Sequence, residues 1–183
     1  MADHGFLLLD DALWIDFLNT AVTPPGARDV LADAGTYQLW TRACQLPTDP
    51  DSLPFDQVLD FRERLRALAE SLDAGRRPPP SAVEAINRVL EGAPGRARLG
   101  RVGGRWRELF LPDEPPRAFQ AIARSAASTL TDQECVVRRC APDCGLYYTE
   151  PRPGPSRSWC GLPGCPSGLR LERRRPGRLT PVL

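Results

Sequence analysis

Apolar side chains recur at steps of three and four along most of this chain, which is the spacing of one face of an α-helix. The clearest case is a helix predicted over residues 54–74, with Gly75 just beyond its end. Its apolar face is formed by Val58, Phe61, Leu65, Leu68 and Leu72. Because such a face is stable only when it is buried against other elements, the pattern predicts a helical core.

Four other segments show the same period and are bounded by residues that begin or end helices. They span about residues 11–22, 33–45, 81–92 and 115–131. The predicted N-terminal caps are Asp10 or Asp11 for the first, Asp33 for the second, and a capping box of Ser81 with Glu84 for the third. The first three-quarters of the chain is therefore expected to form a multihelical domain.

One segment between these helices has a different pattern. Residues 96–111, RARLGRVGGRWRELFL, resemble a β-hairpin in which Gly103 and Gly104 supply a tight turn between two short strands. The predicted fold class is therefore mainly α with a short β-hairpin.

The last quarter of the chain contains four cysteines, Cys140, Cys144, Cys160 and Cys165. Three residues separate the first pair, four separate the second, and fifteen lie between the pairs, which is within the range of zinc modules. This stretch is rich in Pro, Gly and Arg and has few apolar residues, so it lacks the surface needed to fold alone. A structural zinc ion held by four thiolates would supply the missing stability.

Two disulfides are the alternative for these four cysteines. Disulfides belong to oxidising compartments, and the N-terminal residues MADHGFLLLDD lack the basic start and the long apolar core of a signal peptide. A cytoplasmic location, with no membrane span, is therefore expected. Cys44 is expected to be a buried thiol on a helix, and Cys135 is a reserve ligand should one of the four fail.

The net charge of +1 conceals an asymmetry along the chain. Residues 136–183 contain nine arginines and three acidic residues, whereas residues 1–135 contain fifteen basic and twenty acidic residues. All 24 basic residues are arginine, and we attribute the absence of lysine to a bias in the composition of the whole chain. A basic tail on an acidic body predicts a partner that is an anion, such as the phosphates of DNA.

Catalysis is not expected. The single histidine, His4, lies at the N-terminus, and a zinc ion with four cysteine ligands has no open position for a substrate. Asp16 paired with Glu63 or Glu84 is the remaining candidate for acid–base chemistry, but single charges on helices are usually solvated.

Asp16 and Asn19 are spaced one helical turn apart among apolar residues, so both side chains point to the same side of the helix. Buried polar side chains must find hydrogen-bond partners. We therefore expect them to form a structural anchor, to a neighbouring loop or to the cysteine module. A pocket that senses a ligand is the alternative.

Four stretches together resemble a known family. They are LWIDFLNT, AIARSAASTL, VVRRCAPDCG, and SRSWC with a further cysteine after four residues. The combination resembles the bacterial CGNR zinc-finger proteins, in which an N-terminal ABATE domain precedes a treble-clef-like zinc finger and which are described as stress-induced transcription regulators. The resemblance implies an ABATE-like domain over residues 1–134 and a zinc finger with a basic tail over residues 135–183.

The treble-clef resemblance also implies local structure. Cys140 and Cys144 would form a knuckle, GLYYTE an outgoing strand and SRSW a returning strand, with Cys160 before a short helix. Trp159 and either Tyr147 or Tyr148 would pack over the metal, although stacking on nucleic-acid bases is an alternative role for them.

The chain departs from the family in the run that gives the family its name. Where the relatives have Cys-Gly-Asn-Arg, this chain has Cys165-Pro166-Ser167-Gly168. The resemblance still implies DNA as a partner, contacted through phosphate by Arg138, Arg139, Arg157, Arg170, Arg173, Arg174 and Arg175. A protein-interaction or small-molecule-sensing module stapled by zinc, which no longer binds DNA, is the alternative. We also consider that two copies of the chain form a homodimer and that the protein responds to a small-molecule or protein signal.

Overall fold

The computed structural model describes residues 6–9, 12–21, 29–50, 52–140, 144–152, 157–162 and 165–166. Within these residues the chain forms five helices and two antiparallel strand pairs. In chain order they are α1 (Leu13–Asn19), α2 (Ala34–Ala43), α3 (Phe55–Asp73), α4 (Pro80–Glu91), β1 (Gly95–Val102), β2 (Arg105–Pro112), α5 (Ala118–Thr131), β3 (Cys135–Arg139) and β4 (Tyr147–Pro151). The predicted fold class, mainly helical with a short hairpin, is confirmed.

The helix boundaries follow the capping residues in two cases. Asp33 precedes α2 and accepts a hydrogen bond from Thr36 N, while the Thr36 hydroxyl accepts one from Asp33 N. Just beyond the C-terminal end of α3, Gly75 adopts a φ of +65°, a left-handed conformation that glycine reaches without steric cost. Both features agree with the prediction from the sequence.

The predicted capping box of Ser81 and Glu84 is wrong. Helix α4 begins one residue earlier, with Pro80 at its first position and no side-chain cap. The ring of Pro80 already has the φ that a first helical turn needs, and Glu84 instead forms an exposed ion pair with Arg88. The predicted caps of α1, Asp10 and Asp11, lie outside the described residues.

The main core surrounds α1, whose Trp14, Ile15, Phe17 and Leu18 are fully buried. Phe17 packs against the rings of Tyr37 and Trp40, and the predicted apolar faces of α3 and α5 complete the core. The indole Nε1 of Trp14 donates to Thr129 Oγ1 at 2.9 Å, which ties α1 to α5. A helix of only seven residues, α1, therefore contributes four fully buried side chains to the core.

Strands β1 and β2 form the predicted hairpin, with the register Val102 opposite Arg105. Both turn residues, Gly103 and Gly104, have positive φ, 56° and 78°, as a two-residue type I′ turn requires. Most hairpin residues are exposed, so the hairpin projects from the helical body.

Strands β3 and β4 form the second pair, which lies against the helical body. Val137 of β3 and Tyr147 of β4 belong to the main core, and the pair contacts α3 and α1. The predicted pairing of GLYYTE with SRSW is wrong: β4 pairs with β3, and Arg157–Trp159 form no strand. Strand β3 has the advantage as a partner because its Val137 is buried in the main core, so the face of the strand that carries Val137 is covered. The division at residues 134 and 135 remains a prediction.

None of the helices in the described ranges is both long enough and apolar enough to cross a bilayer.

Candidate metal centre

The four C-terminal cysteines converge on one point. The Sγ atoms of Cys140, Cys144, Cys160 and Cys165 all lie within 4.8 Å of one another. The Cys140–Cys165 pair is separated by 3.6 Å and the Cys144–Cys160 pair by 3.8 Å. A tetrahedron of thiolates with Zn–S bonds of about 2.3 Å has S–S edges of about 3.8 Å, whereas a disulfide bond is about 2.05 Å long. The donor set therefore fits a tetrahedral metal ion such as zinc, and it also corresponds to a zinc finger of the CGNR type.

Backbone turns bring these cysteines together. Cys140 follows β3 and its N–H donates to the carbonyl of Leu146 at 2.7 Å, which closes a tight loop containing Cys144. Gly145 in that loop has a φ of +73°. In the second half, Gly161 has a φ of +87° and the N–H of Cys165 donates to Leu162 O at 3.1 Å.

A small apolar cluster covers the sulfur atoms. It contains the four cysteines together with Leu9, Leu146, Tyr148, Trp159 and Leu162. Tyr147 points the other way, into the main core, because neighbouring residues of a strand face opposite sides. Both tyrosine rings are buried, so neither is available for stacking on nucleic-acid bases.

The environment of the thiols disfavours their charged form. Burial, with smaller contributions from the neighbouring sulfur atoms, raises the pKa of Cys160 to about 11. Burial also raises the pKa of Cys144 well above its usual value. Buried thiolates side by side repel one another, and a divalent cation among them removes that repulsion.

The other two cysteines lie apart from this cluster. Cys44 is the C-cap residue of α2 and packs half-buried against the main core, so it is less buried than predicted. Cys135 is half-buried at the first residue of β3 and is not one of the four clustered thiols.

Three of the predicted phosphate-contacting arginines lie in the described residues. Arg138 donates from Nε to Glu150 at 3.2 Å, and Arg157 stacks on Tyr148 with 4.6 Å between the guanidinium carbon and the ring centroid. Arg139 is exposed, with its guanidinium carbon 5.8 Å from the ring centroid of Tyr147. The remaining four predicted arginines, Arg170, Arg173, Arg174 and Arg175, lie outside the described residues.

Glu150 is a residue whose role the sequence did not reveal. Its side chain is buried and accepts from Arg138 Nε and from the backbone N–H of Arg157 at 3.1 Å. It therefore links the strand pair to the segment that carries Cys160. The available signal was that Glu150 is one of only three acidic residues in the basic last quarter of the chain.

Asp16 and Asn19 both have buried side chains on α1. Asp16 Oδ1 accepts from the N–H of Leu9 at 2.7 Å, which holds the segment that contributes Leu9 to the cysteine cluster. Asn19 forms two hydrogen bonds with the backbone of Tyr147. Both contacts join α1 to chain segments that surround the cysteines.

The carboxylate pairs considered for catalysis are engaged elsewhere. Glu63 forms an ion pair with Arg66 and Glu84 forms one with Arg88, each with a partner on its own helix. Asp16 is buried and hydrogen-bonded to the backbone.

Comparison with protein families identifies the class. Residues 11–133 match the sequence profile of the ABATE family, described as "Putative stress-induced transcription regulator". The match covers about two-thirds of the chain, and the chain belongs to this family, whose description names a regulator and no enzyme activity. No curated protein matches the sequence.

Proposed function

We propose that this protein is a DNA-binding transcription regulator whose C-terminal module is held together by a structural zinc ion. Cys140, Cys144, Cys160 and Cys165 would bind the ion, and basic residues of the module would contact DNA phosphate. The observation that carries the proposal is the convergence of four thiols on a chain of the ABATE family. A cytoplasmic location belongs to the same proposal, because thiols stay reduced there.

The size of the cysteine cluster supports a structural role for zinc. In the described residues the cluster has only four apolar neighbours besides Tyr148, and the fifteen-residue connection between the cysteine pairs lacks an apolar period of its own. Binding of the metal would therefore provide much of the folding free energy of the module. With four thiolate ligands the ion has no open position.

The arginines support phosphate contact to different degrees. Arg139 is exposed, and its backbone is held by Asp73, whose Oδ1 accepts from Arg139 N at 3.0 Å. Arg138 and Arg157 also contribute positive charge, but part of their hydrogen-bonding capacity is used by Glu150 and Thr149. Arginines bound in this way are fixed in position, and a fixed guanidinium loses less entropy when it contacts phosphate.

The test is binding of the zinc-loaded protein to duplex DNA of mixed sequence over a range of salt concentrations. Affinity that falls linearly with the logarithm of the salt concentration supports phosphate contact. Substitution of Gln for Arg173, Arg174 and Arg175 is expected to lower that slope by about 3, or about 1 for each contact. Absence of DNA retention at low salt would overturn the proposal.

A protein-interaction or ligand-sensing module is the second candidate. Two observations favour it: the engagement of Arg138 and Arg157 within the module, and an open cleft of about 370 Å³ between the α2–α3 connection, α4 and the start of α5. Charged and polar residues of the cleft include Asp49, Arg88, Arg117 and Gln120. A thermal-shift screen with small acids would test it, because a ligand of this cleft raises Tm in the absence of DNA.

A further inference from the structure

The two faces of the β1–β2 hairpin have different chemistry. Side chains alternate between the faces, and residues paired across the strands share a face. One face carries an arginine at each of four successive levels from the base to the tip, in the order Arg96, Arg98, Arg107 and Arg105, opposite Leu111, Leu109, Gly100 and Val102. The opposite face carries Ala97, Leu99, Arg101, Trp106, Glu108 and Phe110.

The arginines of the first face form an extended row. Successive levels of the hairpin are about 7 Å apart, so the four levels span about 20 Å. All four side chains belong to exposed residues. Arg96 pairs with Asp113 at the base at 2.8 Å, whereas Arg98, Arg105 and Arg107 form no ion pair with any described residue.

The charge of the hairpin contrasts with that of the domain that carries it. Residues 95–112 contain five arginines and one acidic residue, Glu108. The rest of residues 1–135 contains ten basic and nineteen acidic residues. A concentration of positive charge on a projecting element of an acidic domain favours contact with a polyanion and keeps the remainder of the domain away from it.

We propose that the arginine-bearing face of the β1–β2 hairpin is a second DNA-contacting surface, separate from the cysteine module. This proposal deepens the proposed function and rests on it. The major groove of B-DNA, about 12 Å wide, admits a two-stranded β-ribbon. A row of arginines about 20 Å long can contact several phosphates, since each DNA strand presents one phosphate for about every 3.4 Å along the axis of the double helix.

The opposite face supports the hairpin in this role. At the base, Phe110 contacts Arg124 of α5, with 4.9 Å between the guanidinium carbon and the ring centroid. At the tip, Arg101 stacks on Trp106 at 5.5 Å. The first contact joins this face to α5, and the second links the two strands at the tip, so neither uses an arginine of the proposed surface.

The experiment compares three variants of the full-length, zinc-loaded protein, with mixed-sequence duplex DNA as the probe. R98Q/R107Q removes two charges from the proposed surface, and R98K/R107K keeps both charges. R64Q/R76Q removes two charges from the region of α3, where Arg64 pairs with Asp60. Binding is measured by fluorescence anisotropy between 50 and 200 mM salt. Circular dichroism and the ratio of zinc to protein confirm that each variant is folded.

We expect R98Q/R107Q to bind DNA roughly 10-fold to 100-fold more weakly and with a salt slope lower by about 2, because each phosphate contact contributes about 0.9 to the slope. R98K/R107K and R64Q/R76Q should stay near the wild type. Equal losses in R98Q/R107Q and R64Q/R76Q would indicate a general effect of net charge and would overturn the hairpin proposal.

Two further results separate this proposal from the proposed function. If the wild type binds DNA and R98Q/R107Q binds equally well, the hairpin proposal is wrong and the regulator proposal stands. If the wild type binds no DNA, both are wrong. R98Q/R107Q could instead differ from the wild type in oligomeric state, measured as molar mass, while its DNA affinity stays the same. That result would indicate that the hairpin is an interface between copies of the chain, and it would also contradict the proposal.

Discussion

The side chain of Asn19 binds the backbone of Tyr147 in the way that a neighbouring strand would. Asn19 Nδ2 donates to the carbonyl of Tyr147, the N–H of Tyr147 donates to Asn19 Oδ1, and both distances are 2.9 Å. The N–H and C=O of one strand residue point to the same edge, so a single planar amide satisfies both. Asn19 thereby attaches α1 of the ABATE domain to the strand that follows Cys144.

Replacement of Asn19 by Ala should lower the free energy of unfolding by about 2 to 4 kcal/mol, because two buried backbone groups of Tyr147 lose their partners. Asn19→Asp should also destabilise, since a carboxylate cannot donate to the Tyr147 carbonyl. Chemical denaturation measures both effects. Asn87→Ala, the same substitution at an exposed position of α4, is the control and should stay within about 0.5 kcal/mol. An equal effect at both positions would contradict the anchoring role.

Purified protein should contain one zinc ion per chain, and replacement of a single cysteine of the cluster should remove the ion. Cys160→Ser should retain little metal and lower Tm, since a hydroxyl is a poor substitute for a thiolate. Elemental analysis measures the metal content, and Cys135→Ser is the matched control that should keep it. Thiol titration provides a second measurement: four additional thiols, those of the cluster, should react after chelation. Full metal content in Cys160→Ser would exclude this cluster as the binding site.

The ion pair between Asp29 and Arg62 should make stability depend on pH in the acid range. Burial alone would raise the pKa of Asp29. The hydrogen bonds from Arg62 and from Leu31 N–H, with the charges of Arg62 and Arg66, together outweigh burial and hold the pKa below its usual 3.8. Arg62 is itself buried and also donates to Thr20. A lowered pKa in the folded state gives stability that is present above about pH 3.8 and is lost as the pH falls through the folded-state value.

Asp29→Asn should therefore be less stable than the wild type by about 1 kcal/mol at neutral pH, because Arg62 is buried but solvent screens the half-exposed carboxylate. The difference should shrink below about pH 4. Urea denaturation at several pH values measures it, with the exposed Glu91→Gln as control. A difference that stays constant down to pH 2 would show that the charge of Asp29 contributes nothing.

Gly103 should tolerate Asn but not Val. Its φ of 56° is left-handed, a conformation that asparagine adopts readily and a β-branched residue does not. No heavy atom lies within 4 Å of a Cβ built at this position, so backbone strain alone distinguishes the two variants. Because the hairpin projects from the core, Gly103→Val should speed amide hydrogen exchange in β1 and β2 while global Tm changes little. Equal exchange in the two variants would refute the turn assignment.

The elements that could be predicted depend on residues close together in sequence. Asp33 and Thr36 form a cap within one turn of helix, and Gly103 with Gly104 forms a turn within two residues. The capping box of Ser81 and Glu84 failed although its spacing was correct, because Pro80 begins the helix one residue earlier. Local chemistry was therefore sufficient except where two local signals competed.

The candidate site was predictable in its ligands but not in its surroundings. The spacing of the cysteines alone indicated that they could meet. That Arg138 and Arg157 share Glu150 could not be predicted, because the pairing depends on the choice of β3 as the partner of β4. Sequence reasoning had assigned β4 a different partner.

The sequence by itself determined the helices, the hairpin turn and the four cysteines of the candidate site, since each of these follows from the identity and spacing of neighbouring residues. Only the tertiary structure decided that Tyr147 enters the main core while Tyr148 covers the cysteines. It also decided that Asn19 binds a strand more than a hundred residues away. The physical reason is that strand pairing and burial are chosen by competition among segments distant in the chain, and no local pattern records which segment prevails.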